Sequence, residues 1–189
     1  MTEPELAVRA RKVAAELGFE RSSSPETGRL LAVLAAMRPA GRLAEIGTAC
    51  GVGAAWLASG LRGGATLVTV ESDSERADAS AKLLRGAPGV EPAEGDWRDV
   101  LPARAPFDLL FFDGGFWKRD PAGQAPAAIE LLGGGGVLVA DDMTPLHLRV
   151  ESSDPVREFL GGRGDLLVTE VMVRPEEVAV LAVRTIGEP

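Results

Sequence analysis

Five short apolar runs alternate with helix-like segments along most of this chain, and acidic residues follow each run. These acids are Glu45, Glu71, Asp96, Asp113 and the pair Asp141 and Asp142. Alternating strands and helices predict a parallel sheet with right-handed crossovers. Because the carboxyl ends of parallel strands form one rim, we expect the acids to line a crevice there. Such a site could bind hydroxyls, amines or a metal ion.

The length of 189 residues suits one α/β domain with a sizeable core. We predict a single domain over residues 1–189, in which the N-terminal helices of residues 1–40 pack on the core. Predicted strands cover residues 42–47, 65–71, 90–94, 107–113 and 135–140, and predicted helices cover 3–17, 25–37, 52–61, 73–85, 122–132 and 154–161. Residues 165–173 and 177–185 predict a final antiparallel hairpin. The expected fold is a Rossmann-like, seven-stranded, mostly parallel sheet whose last strand is antiparallel, with helices on both faces.

Charge and cysteine content exclude several classes of function. The net charge is −8 and no stretch is rich in Lys or Arg, which disfavours nucleic acid as a partner. The single cysteine, Cys50, excludes an internal disulfide and a multi-cysteine zinc site, and we interpret it as a small buried residue. The sequence contains neither a signal pattern nor an apolar run of membrane-spanning length. We therefore expect a cytoplasmic protein with no membrane partner.

A glycine-bearing loop follows the first predicted strand, in the sequence LAEIGTACGVG at residues 43–53. Glycines allow positive φ angles and a close approach of the backbone to a ligand. The loop is not a dinucleotide fingerprint, because Trp56 stands where a small residue is needed for close helix packing. We predict that Trp56 blocks NAD and FAD. An ordinary strand–helix turn is the alternative interpretation of these glycines.

Two later acids suit a nucleoside. Glu71 ends the second strand, where a carboxylate can accept hydrogen bonds from both hydroxyls of a ribose; capping of the next helix is the alternative. Asp96 could bind an adenine amino group, and Trp97 could pack on the adenine ring. Core packing is an equally weighted interpretation of Trp97.

Taken together in order and spacing, six segments resemble the S-adenosylmethionine-dependent O-methyltransferases of the small, cation-dependent group, which includes the catechol and caffeoyl-CoA enzymes. The segments are SPETGRLL at 24–31, LAEIGTACGVGAAWLA at 43–58, VTVESD at 68–73, EGDWRDVL at 94–101, FDLLFFDG at 107–114 and GGVLVADD at 135–142. The resemblance implies S-adenosylmethionine as cofactor. It implies cofactor contacts from Ser23, Ser24, Glu45, Gly47, Thr48, Gly51, Gly53, Glu71, Ser72, Asp96, Trp97 and Asp113.

The resemblance also implies a divalent cation held by Asp113, Asp141 and Asp142. Asp142 stands where the family has an asparagine, so this site would be more anionic. Oxygen ligands without histidine or cysteine favour Mg²⁺ or Mn²⁺, and less so Ca²⁺. A turn capped by the Asp141–Asp142 pair, with no bound cation, stays open as the alternative.

The family often has a lysine general base three residues after the metal-binding aspartate. Phe116 occupies that place here, and Lys118 comes two residues later. We predict catalytic roles for Asp113 and Lys118, with His147 as an alternative base. Trp117 and Phe116 are expected to form an aromatic wall or a lid.

The predicted function is methyl transfer to a hydroxyl oxygen of a small catechol-like or hydroxylated aromatic acceptor, assisted by a divalent cation. A metal-independent methyltransferase, an enzyme acting on a hydroxylated tRNA base and a non-catalytic cofactor-binding protein stay open. The sequence does not fix the acceptor, and a homodimer is compatible with what the resemblance implies.

Overall fold

The computed structural model describes residues 2–114, 117–149 and 154–185. The strands are β1 (Arg42–Ile46), β2 (Thr66–Glu71), β3 (Val90–Glu94), β4 (Phe107–Phe112), β5 (Leu132–Met143), β6 (Leu166–Arg174) and β7 (Glu177–Arg184). The helices are α1 (Glu5–Glu16), α2 (Pro25–Ala36), α3 (Val52–Gly60), α4 (Ser74–Leu84), α5 (Trp97–Val100), α6 (Pro121–Glu130) and α7 (Pro155–Gly161).

The seven strands form one sheet with the order β3-β2-β1-β4-β5-β7-β6. Strands β1 to β5 pair in parallel, whereas β7 runs antiparallel between β5 and β6. The predicted fold class is therefore confirmed. Strands β2 and β3 are added on one side of β1, and β4 and β5 on the other, so the direction of strand addition changes between β1 and β4. Open α/β sheets bind ligands at such a topological switch point.

Both faces of the sheet are covered by helices, and alternate residues of each strand face opposite cores. Leu31 of α2, Leu57 of α3 and Leu84 of α4 share one core with odd-numbered residues of β1, β4 and β5. Helices α5, α6 and α7 cover the other face. Burial of each large apolar side chain stabilises the fold by about 1.5–3 kcal/mol, so the rim of the sheet rests on a rigid support.

Helix α1 packs through small residues. Its buried face consists of Ala7, Ala10 and Ala14, whereas Leu17, just after its last residue, is exposed. Ala7 and Ala10 form a cluster with the fully buried Trp56. Trp56 thus faces the N-terminal helices and does not separate α3 from the sheet. The steric reason for excluding dinucleotides is wrong, and the exclusion itself stays a prediction.

Strand β5 is longer than predicted and contains two irregularities. The glycines of residues 133–136 lie in β5 where its register with β4 shifts between Phe107 and Leu109. The register with β7 shifts between Ala140 and Met143. Among the described residues, no helix combines the length and the apolarity needed to cross a membrane.

Candidate active site

A cavity of about 400 Å³ opens at the carboxyl rim of the sheet. The carboxyl ends of β1 to β5 each contribute to its wall, with Gly47, Glu71, Asp96, Asp113 and Asp142 in strand order. This volume lies within the usual range for small-molecule sites. The crevice expected from the positions of the acids is therefore present.

The structure divides the predicted cofactor residues into two groups. Gly47, Glu71, Ser72, Asp96, Trp97 and Asp113 line the cavity. Ser23, Ser24, Glu45, Thr48, Gly51 and Gly53 are not among the described residues of its wall. Their contact with a cofactor stays a prediction, and each has a structural role or position described below.

Glu45 lies on the α3 side of the sheet because side chains alternate along β1. It accepts a hydrogen bond from Thr69 Oγ1, which also contacts Thr48 Oγ1. A Cβ atom on Gly53 would lie 2.2 Å from Glu45 Oε1, so Gly53 allows α3 to sit close to this carboxyl. Burial raises the pKa of Glu45 well above its usual range. The hydrogen bonds among Glu45, Thr69 and Thr48 therefore connect the buried carboxyl of β1 with the glycine loop.

The loop between β1 and α3 adopts the left-handed backbone region at three alternate residues. The φ angles are +93° at Gly47, +46° at Ala49 and +89° at Gly51. A side chain on Gly47 would meet the backbone nitrogen of Gly114 at 2.9 Å. The glycines therefore shape the loop, and only Gly47 borders the cavity directly.

Glu71 fixes this loop and also faces the cavity. Its Oε2 accepts a hydrogen bond from the Ala49 amide at 2.8 Å. Its Oε1 accepts from the Asp73 amide at 2.9 Å and from Arg76 Nη2 at 3.1 Å. Because each carboxylate oxygen has two lone pairs, Oε1 is filled and Oε2 retains capacity for one more donor. Glu71 can thus receive a single ribose hydroxyl in this arrangement, whereas we expected it to bind both.

Asp96 and Trp97 stand at the β3 end of the cavity. Asp96 begins α5 by accepting a hydrogen bond from the Arg98 amide at 2.8 Å. Trp97 meets the ring of Phe112 edge-on, and the Arg98 guanidinium lies 4.7 Å from the Trp97 ring centroid. Trp97 is therefore both a core residue and part of the cavity wall.

Ser23 and Ser24 precede α2. Ser24 accepts a hydrogen bond from the Thr27 amide at 3.1 Å, so it caps α2. The Ser23 carbonyl accepts from Arg11 at 2.9 Å, and its buried hydroxyl has no hydrogen-bond partner among the described residues.

Asp113, Asp141 and Asp142 form an acidic cluster at the end of β4 and β5. One oxygen from each carboxylate lies within 4.8 Å of the others. In a regular strand, adjacent side chains point to opposite faces. The register shift with β7 introduces one extra residue here, and Asp142 has a φ of +54°, so both aspartates reach the cluster. The three side chains predicted to hold a cation are therefore brought together.

The cluster is electrostatically strained without a counter-charge. Burial and the charge of Asp142 raise the pKa of Asp113 to about 6, while Lys118 opposes this rise. Burial and Asp113 also raise the pKa of Asp141. Neither buried oxygen of Asp141 has a hydrogen-bond partner among the described residues. A cation at this place would relieve the repulsion.

Lys118 reaches the cluster despite its shifted place in the sequence. Its Nζ lies 3.5 Å from Asp141 Oδ1 and 4.0 Å from Asp142 Oδ2, and it lines the cavity. His147 is exposed and is not among the described residues of the wall. The geometry therefore favours Lys118 over His147.

Trp117 does not form the expected aromatic wall. It is fully buried, stacks on Phe112 with 4.7 Å between ring centroids, and donates a hydrogen bond from Nε1 to the Phe112 carbonyl at 3.0 Å. The aromatic-wall prediction is therefore wrong for Trp117, while Phe116 lies outside the described residues. Cys50 is buried, as predicted.

Several wall residues escaped the sequence interpretation. They are Phe19, Arg21, Arg76, Arg98, Arg119 and Gln124. Arg98 and Arg119 directly follow predicted site residues, which was a usable signal. Phe19 and Arg21 belong to the α1–α2 connection, whose position over the rim depends on tertiary packing.

Comparisons with known proteins identify the family. Residues 44–143 match the sequence profile of a family described as a methyltransferase domain. The chain belongs to this family. The match covers more than half of the chain and includes most of β1 and all of β2 to β5, whose carboxyl ends form the cavity wall. It confirms the family resemblance derived from the sequence motifs.

Curated relatives and solved structures agree with this assignment. A protein of Mycobacterium sp. (strain JLS), named "Putative O-methyltransferase", is 32% identical over 149 residues, which cover 74% of this chain and 64% of the relative. The chain thus spans somewhat less than two-thirds of that relative's length. The O-methyltransferase TomG from Streptomyces achromogenes, solved with SAM, is 28% identical with a TM-score of 0.79, covering 97% of this chain and 91% of TomG.

A further likeness bears on the fold alone. An O-methyltransferase from Bacillus cereus, solved in complex with SAH, is 21% identical. It has a TM-score of 0.79 and covers 98% of this chain and 93% of its own chain.

Proposed function

We propose that this protein transfers a methyl group from S-adenosylmethionine to a hydroxyl oxygen of a small catechol-like or hydroxylated aromatic acceptor, with the help of a divalent cation. One observation carries the proposal: a single cavity contains a carboxylate suited to ribose, at Glu71, and borders an acidic cluster suited to a cation, at Asp113 and Asp142. Family membership supports methyl transfer as the chemistry.

The cofactor end of the cavity would lie along β1 to β3. Glu71 Oε2 would accept a hydrogen bond from a ribose hydroxyl, and Asp96 would accept one from the adenine amino group. Gly47 leaves the backbone open to the rest of the cofactor. TomG, which is solved with SAM, supports this choice of cofactor.

The residues at the acceptor end fit a divalent cation. Three carboxylates offer hard oxygen ligands, and the buried oxygens of Asp141 have no hydrogen-bond partner among the described residues. Asp113, Asp141 and Asp142 would hold Mg²⁺ or Mn²⁺. Their convergence without any histidine or cysteine matches that choice of ions.

The two bound groups supply distinct chemistry: S-adenosylmethionine carries an electrophilic methyl group, and a cation lowers the pKa of a nearby hydroxyl. The acceptor would lie between β4 and β5, beside the cofactor wall, so that its hydroxyl oxygen could approach the methyl group in line. Methyl transfer would break the sulfur–methyl bond and release S-adenosylhomocysteine. Lys118, within 4.0 Å of Asp141 and Asp142, is the residue proposed to take up the proton that the hydroxyl releases, and it would do so from its neutral amine form.

A metal-independent methyltransferase is the second candidate, and one observation favours it. The Lys118 ammonium already places a positive charge beside Asp141. In that case Lys118 would balance the acids, and the cofactor wall would be unchanged. Activity on a hydroxylated tRNA base is disfavoured by the net charge of −8. Single-domain organisation and a cytoplasmic location stay predictions.

The test combines binding and turnover. Calorimetry with S-adenosylmethionine should give saturable binding, and radiolabelled methyl should appear on catechol. Excess EDTA should abolish transfer, and Mg²⁺ or Mn²⁺ should restore it. Full transfer in EDTA would support the metal-independent candidate. Binding without transfer to any hydroxylated acceptor, including tRNA, would support a non-catalytic cofactor-binding protein, and absence of binding would refute the proposal.

A further inference from the structure

The cavity wall differs in charge from the chain as a whole. Five basic residues and four acidic residues line the cavity, whereas the chain carries a net charge of −8. Three of the basic residues are neutralised by local acids. Arg76 pairs with Glu71, Arg98 with Asp96, and Lys118 with Asp141.

Arg21 and Arg119 remain without such partners. Neither makes an ion pair or a side-chain hydrogen bond with any described residue, although both border the cavity. Their locations differ. Arg119 directly follows Lys118 in the turn Trp117–Arg119, which borders the acidic cluster. Arg21 follows Phe19, whose ring lies 5.5 Å from the Arg76 guanidinium, beside Glu71 at the cofactor end.

We propose that Arg119 binds an anionic substituent of the acceptor, a carboxylate or a phosphate-type group, and so determines which acceptors are used. This inference rests on the proposed methyl transfer and names its substrate class. A guanidinium presents planar paired donors that match these groups bidentately. The acceptor must lie at the Asp113 end to be activated, and Arg119 is the cation there whose charge no described residue balances.

The preference for anionic acceptors that Arg119 confers should be moderate because Arg119 is exposed. Solvent weakens an exposed ion pair, whereas a charge-assisted hydrogen bond in a cavity is stronger. Together these give an expected preference of about tenfold in kcat/KM for an anionic acceptor over its neutral counterpart.

The experiment uses matched acceptors with saturating S-adenosylmethionine. They are protocatechuate, which is a catechol with a ring carboxylate, its phosphonate analogue and its neutral carboxamide. The wild type should favour one or both anionic acceptors by about tenfold, and the preferred one identifies the group. Arg119→Gln should remove the preference without lowering kcat/KM for the carboxamide. Arg119→Lys should give an intermediate preference because it keeps the charge but loses the paired donors.

Two further variants locate the effect. Arg85→Gln changes an exposed arginine outside the cavity and should leave the preference unchanged. Arg21→Gln should also preserve the ratio between acceptors. Equal use of charged and neutral acceptors by the wild type, a preference that survives Arg119→Gln, or one that disappears with Arg21→Gln would overturn the assignment.

A binding measurement separates this inference from the proposed function. Calorimetry with protocatechuate and its carboxamide, in the presence of S-adenosylhomocysteine, should show the same preference and the same loss in Arg119→Gln. Binding of S-adenosylmethionine should be unchanged in that variant. If the preference in binding is present but no acceptor is methylated, the proposed function fails while the anion site stands. If catechol is methylated without any preference, only the anion site fails.

Discussion

The acidic side chains at the two ends of the cavity differ in the hydrogen bonds that they accept from the protein. At the cofactor end, Glu71 accepts three hydrogen bonds from the chain, and Asp96 accepts one from a backbone amide. At the acceptor end, both oxygens of Asp141 lack a hydrogen-bond partner among the described residues, and Lys118 approaches only to 3.5 Å. The first end is organised by hydrogen bonds within the protein, whereas the acids of the second end have Lys118 as a nearby positive charge and, under the proposed function, would also bind a cation.

This contrast has an energetic meaning. A carboxylate held by amides and an arginine keeps its geometry whether or not a ligand is bound, so the cofactor wall is preorganised. Clustered carboxylates resist ionisation until a cation binds, so the acceptor end should change its protonation and stability with the ion. Substitutions at either end of the cavity test this difference.

The largest effect is expected from Asp141→Asn. If the acceptor end needs a cation, this variant should lose about 10³-fold or more in kcat, since metal assistance contributes several kcal/mol to transition-state stabilisation. Affinity for S-adenosylmethionine should stay within about twofold, because the cofactor contacts lie on other strands. Radiolabel transfer and calorimetry measure the two quantities.

The control for Asp141 is Asp78→Asn, which changes an exposed aspartate on α4. It should leave both quantities unchanged. Added Mg²⁺ should rescue chelator-treated wild type but not Asp141→Asn. Turnover by Asp141→Asn within tenfold of the wild type would mean that the acceptor end needs no cation and is preorganised by the protein, as the cofactor end is.

The second prediction concerns pH. The pKa of Asp113 rises from 3.8 to about 6 on folding, so between these values the native state binds more protons than the unfolded state. The free energy of unfolding therefore falls as pH rises through this window. Without a cation, Asp113→Asn should be more stable than the wild type above about pH 6, by roughly 3 kcal/mol, and nearly equal below pH 4.

Urea unfolding at both pH values, with and without Mg²⁺, checks this prediction. Saturating Mg²⁺ should close the gap at high pH by stabilising the ionised wild type. A wild type that is more stable than Asp113→Asn in the absence of cation would mean that the acids at the acceptor end are already compensated.

The third prediction tests the cofactor end. Glu71→Ala should weaken S-adenosylmethionine binding by about 1.5–3 kcal/mol, because it removes an acceptor for the ribose and the partner of the Ala49 amide. Glu75→Ala, which changes an exposed acid at the start of α4, is the matched control. Calorimetry should show the loss only for Glu71→Ala; equal affinities in the two variants would contradict the assigned role.

The smallest effect is expected for His147→Ala. This histidine is exposed and is not among the described residues of the cavity wall, so kcat should change by less than about twofold. Initial rates across pH 6 to 9 provide the measurement. A large loss of kcat together with an altered pH profile would restore His147 as the base in place of Lys118.

The sequence predicted the strands, their mostly parallel arrangement and the acidic rim, because periodicity and strand-end acids are local signals. Alternation along β1 could also have shown that Glu45 shares a face with Leu43, away from Ile46 and the cavity. The position of Glu45 was therefore within reach of the sequence. The burial of Trp117 was not, since no period-2 or helical pattern covers the five residues over which Trp117 folds back to stack on Phe112.

Other features depend on partners far away in the chain. Trp56 lies against alanines of α1, and no local pattern shows which face of α3 that helix will cover. Lys118 Nζ lies 3.5 Å from Asp141 Oδ1, whereas the number of residues between Lys118 and Asp113 suggested a lysine displaced from the site. Along a strand, the position of a residue in the sequence predicts where its side chain lies. In the loops that complete the site, it does not.

The extra residue in β5 makes this site depend on chain length as well as on side-chain identity. Leu138 and Ala140 face the same core as Met143, although their numbers differ in parity. Removing one residue at the bulge would restore regular alternation and exchange the faces of everything between it and the end of the strand. At this point of the chain, a single deletion should be more damaging than almost any substitution, and an alignment that ignores the offset would pair the wrong aspartates.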